Sequence, residues 1–452
     1  MKSDLIKKYN VSGPRYTSYP TVPTWEQDKF SKEKWLTALK NTFTQTNTKE
    51  GISLYIHLPF CESLCTFCGC HKRITKNHSV EEKYIETVLK EWNLYVNVLG
   101  ELPVLQELHL GGGTPTFFKP ENLDKLITGI KAKSLVPEKA KWSLEGHPNN
   151  TSEEHLNVLI KHGFSRISFG VQDYDPVVQK AINRIQPLEH VVNVTQYSKK
   201  IGFKSICHDL VYGLPFQKMT SIQKTVKHTL ELKPDRIALY SYAHVPWIKG
   251  NGQRGFKDGD IPKDDEKRAL YEYAKSELLK NGYKEIGIDH FALPDDELYI
   301  AYASNNMHRN FMGYSDSKTE VMIGLGASSI SDSWTAFAQN EKSVEAYYSL
   351  VENNEIPVVK GHILTEEDLE IRKYILNLMC HGKTTVNTET ILDWELVKKR
   401  MNPLVEDGII SLEGKTIIIE KIGHAFIRNV CMCLDTRFHS DKSDSPIFSK
   451  VI

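Results

Sequence analysis

The sequence predicts an α/β protein: a parallel sheet buried on both faces, an N-terminal extension before it, and a small, mainly helical module after it. Three observations carry this. Short apolar runs recur through the middle of the 452-residue chain. The stretches between them are amphipathic and long enough to be crossover helices, which is how parallel strands are joined. Finally, residues 363–452 change to a helix, helix, hairpin, helix pattern.

Taken in order, residues 1–50 precede the first strand signal and form the extension. Six runs follow: SLYIHL (53–58), LQELHL (105–110), KWSLEG (141–146), SRISFGV (165–171), SICHDLVYG (205–213) and DRIALYSY (235–242). Between the first two, residues 81–99 set Tyr84, Ile85, Val88, Leu89, Trp92, Tyr95 and Val98 along one helical stripe. A charge-rich, Gly-containing stretch at 249–266 reads as a surface loop. The sharper boundary lies near Gly361, before TEEDLEIRKYILNLM, so the sheet unit is assigned to 51–362 and the C-terminal module to 363–452. In that module two amphipathic helical segments, the hairpin-like DGIISLEGKTIIIEK and a last helix follow one another in a winged-helix-like order. Such modules often bind DNA. Residues 383–429, however, hold seven Lys/Arg and seven Asp/Glu, so the basic footprint of a nucleic-acid binder is missing and a packing or capping role is expected.

Bulk properties narrow the class. Lys plus Arg and Asp plus Glu both number 57, which leaves no net field to recruit nucleic acid or an anionic membrane. The opening MKSDLIKKYNVSG has no apolar h-region, and no run of about 18 apolar residues occurs, so a cytoplasmic protein is expected. Eight cysteines, four of them crowded into one motif, suit a reducing compartment.

That motif is the chemical centre of the chain. In HLPFCESLCTFCGCHKRIT, Cys61, Cys65 and Cys68 have the spacing Cys-x3-Cys-x2-Cys. Three thiolates this close can hold three irons of a cubane cluster and leave the fourth open, whereas a ferredoxin supplies four and saturates it. An open iron implies a reaction at the cluster. The competing reading adds Cys70 to make a closed zinc or saturated cluster site, but zinc usually takes two separated pairs and no second knuckle exists. Phe67, directly before the third cysteine, could stack an adenine or simply pack.

The Cys-x3-Cys-x-aromatic-Cys loop after a strand resembles the radical S-adenosylmethionine (SAM) enzymes, in which SAM chelates the open iron. More narrowly, YNVSGPRYTSYPT (9–21), LYIHLPFCESLCTFCGC (54–70), ELHLGGGTPTFF (107–118), FGVQDYDPVVQKAINRIQ (169–186), DLVYGLP (209–215), YAHVP (242–246), DHFALPDDEL (289–298) and HRNFMGY (308–314) resemble the oxygen-independent coproporphyrinogen III oxidases. The resemblance covers most of the chain. It implies an open, partial (β/α)6 barrel of radical SAM type, and such barrels place chemistry at the carboxyl ends of their strands. The cysteine loop, Gly111-Gly112-Gly113-Thr114, Glu145, Gln172 and Asp209 all fall at or near such ends.

The resemblance further implies a [4Fe–4S] cluster on Cys61, Cys65 and Cys68 and two SAM molecules. Tyr55, Gly112, Glu145 and Ile330 would line the cluster-bound SAM, with Tyr55 and Glu145 closest to the chemistry. Phe67, Gly113, Thr114, Gln172, Arg184, Asp209 and Ala243 would line the second. His71, His147 and His208 depart from the familiar pattern close to these positions. The implied substrate, coproporphyrinogen III, carries four propionates on an apolar macrocycle, so its site should combine aromatic walls with cations. The candidates are Arg15, Tyr16, Tyr19, Arg73, His290, His308 and Arg309, with GPRYTSYP folding over the barrel mouth as a lid.

The implied reaction is conversion of two propionates to vinyl groups in haem biosynthesis, giving protoporphyrinogen IX, through a 5′-deoxyadenosyl radical made at the cluster. A reductase or a flavodoxin- or ferredoxin-type protein would supply electrons to a monomer. The alternative within the superfamily is a haem chaperone without decarboxylase activity. Chaperones usually lack both Cys68-Gly69-Cys70 and the Tyr9 to Thr21 motif, which are present here.

Overall fold

The computed structural model describes residues 3–246, 252, 253, 255–440 and 448–451. All six apolar runs are strands: β1 (Ile52–Leu58), β2 (Leu105–Gly112), β3 (Lys141–Gly146), β4 (Phe164–Gln172), β5 (Ser205–Tyr212) and β6 (Arg236–Ser241). They lie side by side in that order and are all parallel. Helices cover them, so β1 is buried at every position except Tyr55, which is partly exposed. The stripe at 81–99 forms the helix Val80–Leu99, burying Tyr84, Ile85, Val88, Trp92 and Tyr95. It stops at Gly100, whose positive φ of 83° returns its N–H to the Val96 carbonyl.

The sheet is larger than the sequence implied. β7 (Lys284–Ile286) and β8 (His290–Ala292) continue it antiparallel beyond β6. Beside β1, β9 (Met322–Leu325) adds a seventh parallel strand, followed by antiparallel β10 (Ile330–Asp332), β11 (Ala336–Asn340) and β12 (Val358–Ile363). The order β12-β11-β10-β9-β1-β2-β3-β4-β5-β6-β8-β7 leaves β12 and β7 as free edges among the described residues, so the sheet is open.

The helix Lys32–Thr46 packs Trp35, Leu39 and Phe43 into the same core as the sheet. A second core joins Tyr9, Tyr16 and Tyr19 to residues of the C-terminal region between Ile371 and Leu434. That region follows the expected order, with helices Glu366–His381, Trp394–Glu406 and Ile427–Leu434 and the hairpin Ile410–Glu413/Thr416–Ile419. A third strand, Lys383–Thr385, pairs with the hairpin's other side. Of the loop expected at 249–266, residues 249–251 and 254 lie outside the described residues. Its far end is already helical from Asp264, because Asp264, Asp265 and Glu266 place negative charge in the first turn of Asp264–Lys280.

The buried Tyr16 hydroxyl donates to Asp435 at 2.9 Å, and burial raises that carboxyl. Tyr16→Phe leaves a buried acceptor short of a donor, so a loss of about 1–3 kcal/mol is expected in urea denaturation. Parental stability in that variant would show the bond to be dispensable.

Candidate active site

The chain leaves β1 at Leu58 and runs directly against the glycine turn that follows β2. Gly113 N donates to Leu58 O at 2.9 Å and Thr114 N to Phe60 O at 3.0 Å. The approach is so close that a Cβ on Gly113 would sit 2.6 Å from the Pro59 carbonyl oxygen. On its other side the cysteine loop is tied to residues 181–183: Thr66 N donates to Ile182 O at 3.0 Å, and Asn183 Nδ2 to Leu64 O at 2.8 Å. The loop is thus fixed from the end of β2 and from the C-terminus of the short helix Pro176–Ala181.

Cys61, Cys65 and Cys68 are half-buried and Cys70 is exposed. The Thr114 hydroxyl donates to Cys61 Sγ at 3.3 Å, and Arg184 Nη1 reaches Cys65 Sγ at 3.7 Å. Lys72 Nζ caps the carbonyls of Cys68 at 3.1 Å and Cys70 at 3.2 Å. A hydrogen bond from Cys70, with Lys72 and Arg184 close by, lowers the Cys68 thiol to about 6. Burial pushes Cys61 up to about 11. Donors and cations facing sulfur suit thiolates that carry an iron cluster. Among the described residues no three His, Cys, Asp or Glu side chains converge on a single-ion position; a cubane needs only one thiolate per held iron.

Tyr55, Gly112, Glu145 and Ile330 line one cavity of about 730 Å³ together with Cys68 and His71. Its floor is a hydrogen-bonded chain. His57 Nε2 lies 3.0 Å from the His71 carbonyl, which can only accept, so the proton is assigned to Nε2. Nδ1 then accepts from the Tyr55 hydroxyl at 3.0 Å. Burial depresses His57 to about 4, keeping the ring neutral. Tyr55 pairs in register with His109 and stacks on it at 5.9 Å. His109 bonds Ser143 Oγ at 2.7 Å and Glu145 Oε1 at 3.3 Å, while Gly112 N donates to Glu145 Oε2 at 3.3 Å. Against the desolvation that would raise it, His109 and the Gly112 amide hold Glu145 below the usual carboxylate range. It is an ionised acceptor for an ammonium group.

The residues expected around a second SAM are more dispersed. Arg184 Nη2 donates to Gly170 O at 2.6 Å, and a Cβ on Gly170 would meet both Gln172 Nε2 and Arg184 Nη2 within 3 Å. Phe67 and Ala243 are joined by Gln253 Nε2, 3.5 Å from the former's carbonyl and 3.0 Å from the latter's. Asp209 lies in a smaller cavity of about 130 Å³ with Glu145 and His290, and burial lifts its carboxyl to about 6. Gly113 and Thr114 face the cysteine loop. No single described cavity gathers this set.

The three departures differ in kind. His71 lines the 730 Å³ cavity, and among the described residues its buried Nδ1 has no hydrogen-bond partner. His147 Nδ1 accepts from Asn149 N at 3.1 Å within a turn. His208 bonds Thr195 on the helix Leu188–Ile201 at 2.9 Å, because alternation along β5 sends 208 to the opposite face from 207 and 209. Among the substrate candidates, Arg15, His290 and Arg309 line a cavity of about 250 Å³. Tyr16 and Tyr19 do not: both lie in the second core, where their rings find apolar partners. Within GPRYTSYP, Tyr16 and Tyr19 fasten the segment into the second core, while Arg15 and Thr17 reach the cavity. Arg73 is exposed and ion-paired to Glu345 at 2.9 Å, and His308 lines none of these cavities.

Lining residues that escaped the sequence reading include His57, His109, Phe311 and Met312. For His57 the signal was period two along β1, two residues from Tyr55 on the same face. His109 sits across from Tyr55 on the neighbouring strand, which only pairing register reveals.

Residues 55–229 match the model of the radical SAM superfamily. The chain is 35% identical over 461 residues to the oxygen-independent coproporphyrinogen III oxidase of Escherichia coli (strain K12), covering 99% of this chain and 98% of that protein. It is 36% identical to the protein of the same name from Helicobacter pylori (strain J99), with 96% of each covered. The solved structure of the E. coli coproporphyrinogen III oxidase, described as a radical SAM enzyme, superposes with a TM-score of 0.89 at 34% identity, over 96% of this chain and 98% of that one.

Proposed function

The chain belongs to the oxygen-independent coproporphyrinogen III oxidases of the radical SAM superfamily, and from this membership we propose how its own residues divide the work. The protein is an oxidoreductase of haem biosynthesis. It converts two propionate side chains of coproporphyrinogen III to vinyl groups, giving protoporphyrinogen IX, and it uses a [4Fe–4S] cluster and SAM. Membership leaves the chaperone alternative without support.

One observation carries the residue assignment: Tyr55, Gly112, Glu145 and Ile330 share a single cavity with Cys68. Cys61, Cys65 and Cys68 hold the cluster, with Cys70 outside the ligand set. When bound, the cluster and SAM supply a one-electron reduction and a 5′-deoxyadenosyl radical that removes a propionate β-hydrogen. Glu145 accepts the SAM ammonium, and Tyr55, held by His57, forms the wall beside it. The Gly111–Gly113 turn lets the His57 ring and the chain after β1 approach where a Cβ would intrude. Phe67, Gly113, Thr114, Gln172, Arg184, Asp209 and Ala243 serve a second SAM; the contact of Arg184 with both Cys65 and Gly170 supports this by bridging the cluster loop to β4. No helix among the described residues is long and apolar enough to cross a membrane. A cytoplasmic monomer fed by a reductase or a flavodoxin- or ferredoxin-type donor completes the reading.

Equilibrium dialysis of SAM against the reconstituted protein should give two sites. Asp209→Asn should weaken only one of them, by about tenfold, through loss of a charged acceptor. Because Asp209 titrates near 6, that site should also weaken in the parent, and not in the variant, as pH falls through 6. A single site in the parent would overturn the second-SAM assignment.

A further inference from the structure

Three cavities meet at one side chain. Met312 lines the 730 Å³ cavity beside the cysteines, the 130 Å³ cavity of Asp209 and the 250 Å³ cavity of Arg15. It stands at the tip of a hairpin, His308–Asn310 paired with Gly313–Ser315, whose turn is closed by Met312 N donating to Asn310 Oδ1 at 2.9 Å. Arg309 is on the rising strand of that hairpin, one step before Asn310. Pairing in register with Tyr314 lays its guanidinium over the ring, 4.3 Å from the centroid.

The 250 Å³ cavity is rich in cations. Arg15, Arg268, Lys275, Arg309, Lys421 and Arg428 face only Glu285 and Asp289. Most of these groups are already engaged. Arg268 bonds Glu272 at 2.9 Å, and Lys275 bonds Glu285 at 2.6 Å. Arg428 donates to the carbonyls of Pro14, Gly13 and Val451 at 2.8, 2.8 and 3.1 Å, and Asp289 is held by His290 at 2.6 Å. Lys421 is exposed to solvent. Arg309 differs. It is only 6% exposed, and among the described residues its Nε has no hydrogen-bond partner and no carboxylate is in ion-pair contact with it. A buried guanidinium with an unpaired Nε is costly even with the Asp289 charge nearby, and a planar fork is built for carboxylate. In the same cavity, among the described residues, Arg15 bonds the Ser241 carbonyl alone, at 3.3 Å.

We propose that Arg309, aided by Arg15, binds a propionate carboxylate of the porphyrinogen that is not being decarboxylated. This rests on the decarboxylase reading. The reacting propionate must enter the cavity of Tyr55 and Glu145, while Met312 and Phe311 border both that cavity and the cationic one. A macrocycle lying across the hairpin tip therefore presents one side chain to the chemistry and another to Arg309. Stacking on Tyr314 holds the fork in place before substrate arrives.

The test is fluorescence titration of the reconstituted holoenzyme with porphyrins, alongside iron content and SAM binding as controls for folding. Coproporphyrin III should bind the parent far more tightly than its tetramethyl ester. Arg309→Gln should weaken coproporphyrin III about tenfold or more by removing a charge-assisted pair, and leave the ester unchanged. Protoporphyrin IX, which retains two propionates, should show a similar penalty. Arg309→Lys, with charge but no fork, should fall between parent and Gln; if Gln loses its cluster, this variant decides. Parental affinity in Arg309→Lys together with equal binding of acid and ester to the parent would overturn the proposal, as would parental affinity in a folded Arg309→Gln. A penalty for coproporphyrin III without one for protoporphyrin IX would overturn the assignment to a non-reacting propionate. If instead the decarboxylase reading were at fault, the parent would bind carboxylates through Arg309 yet form no vinyl product.

Discussion

Replacing Cys61, Cys65 or Cys68 by Ser, one at a time, is expected to remove most cluster iron and all SAM cleavage, while Cys70→Ser retains a SAM-responsive [4Fe–4S] spectrum. Each of the three sulfurs has a different neighbour: Thr114 at Cys61, Arg184 at Cys65, and Cys70 at Cys68, whose carbonyl Lys72 also bonds. Serine oxygen is a harder, poorer ligand for this iron. Cys70 is exposed, and its thiol is pushed up by its bond to Cys68, so it behaves as a donor to a ligand. Iron analysis and electron paramagnetic resonance of the reduced proteins decide the matter. Loss of the cluster in Cys70→Ser, with survival in one of the other three, would overturn the ligand set.

Gly113→Val should be nearly as damaging although it removes no ligand. The new Cβ would lie 2.6 and 2.7 Å from the Pro59 carbonyl and 2.9 Å from that of Phe60, all backbone atoms. Neither segment can yield easily, because Gly113 N and Thr114 N are bonded to Leu58 and Phe60. Relief requires moving the start of the cysteine loop, and overpacking of this kind costs about 1–3 kcal/mol. The strain is released by displacing Cys61, so reconstitution should yield little cluster and no activity. Gly69→Ala is the control: a Cβ there meets nothing within 4 Å, and the cluster should form. Equal cluster content in both variants would show that the close approach is unimportant.

What could be read without the structure follows from the reach of each signal. The strands β1 to β6 were legible because a parallel strand buried on both faces needs a continuous apolar run between amphipathic helices. β9, β10 and β11 are three to five residues long and carry no such pattern. Cys61, Cys65 and Cys68 were legible because their ligand spacing is local. Tyr16 was misplaced because its partner, Asp435, is 419 residues away in sequence. The residues proposed for the cluster-bound SAM share one cavity because β10, β9, β1, β2 and β3 lie side by side, whereas those proposed for a second SAM are spread from the cysteine loop and the turn after β2 to β4, β5 and the loop after β6. Arg309 was named as a carboxylate candidate, but its orphaned Nε and its Tyr314 platform appear only once the hairpin is folded.

The most direct measurement is anaerobic turnover of the reconstituted protein on coproporphyrinogen III deuterated at the propionate β-carbons, with a low-potential reductant and SAM. The expected result is protoporphyrinogen IX together with deuterium in the 5′-deoxyadenosine recovered, and neither from Cys65→Ser. An intact [4Fe–4S] cluster that cleaves SAM yet forms no vinyl product, or transfers no deuterium, would contradict the assignment.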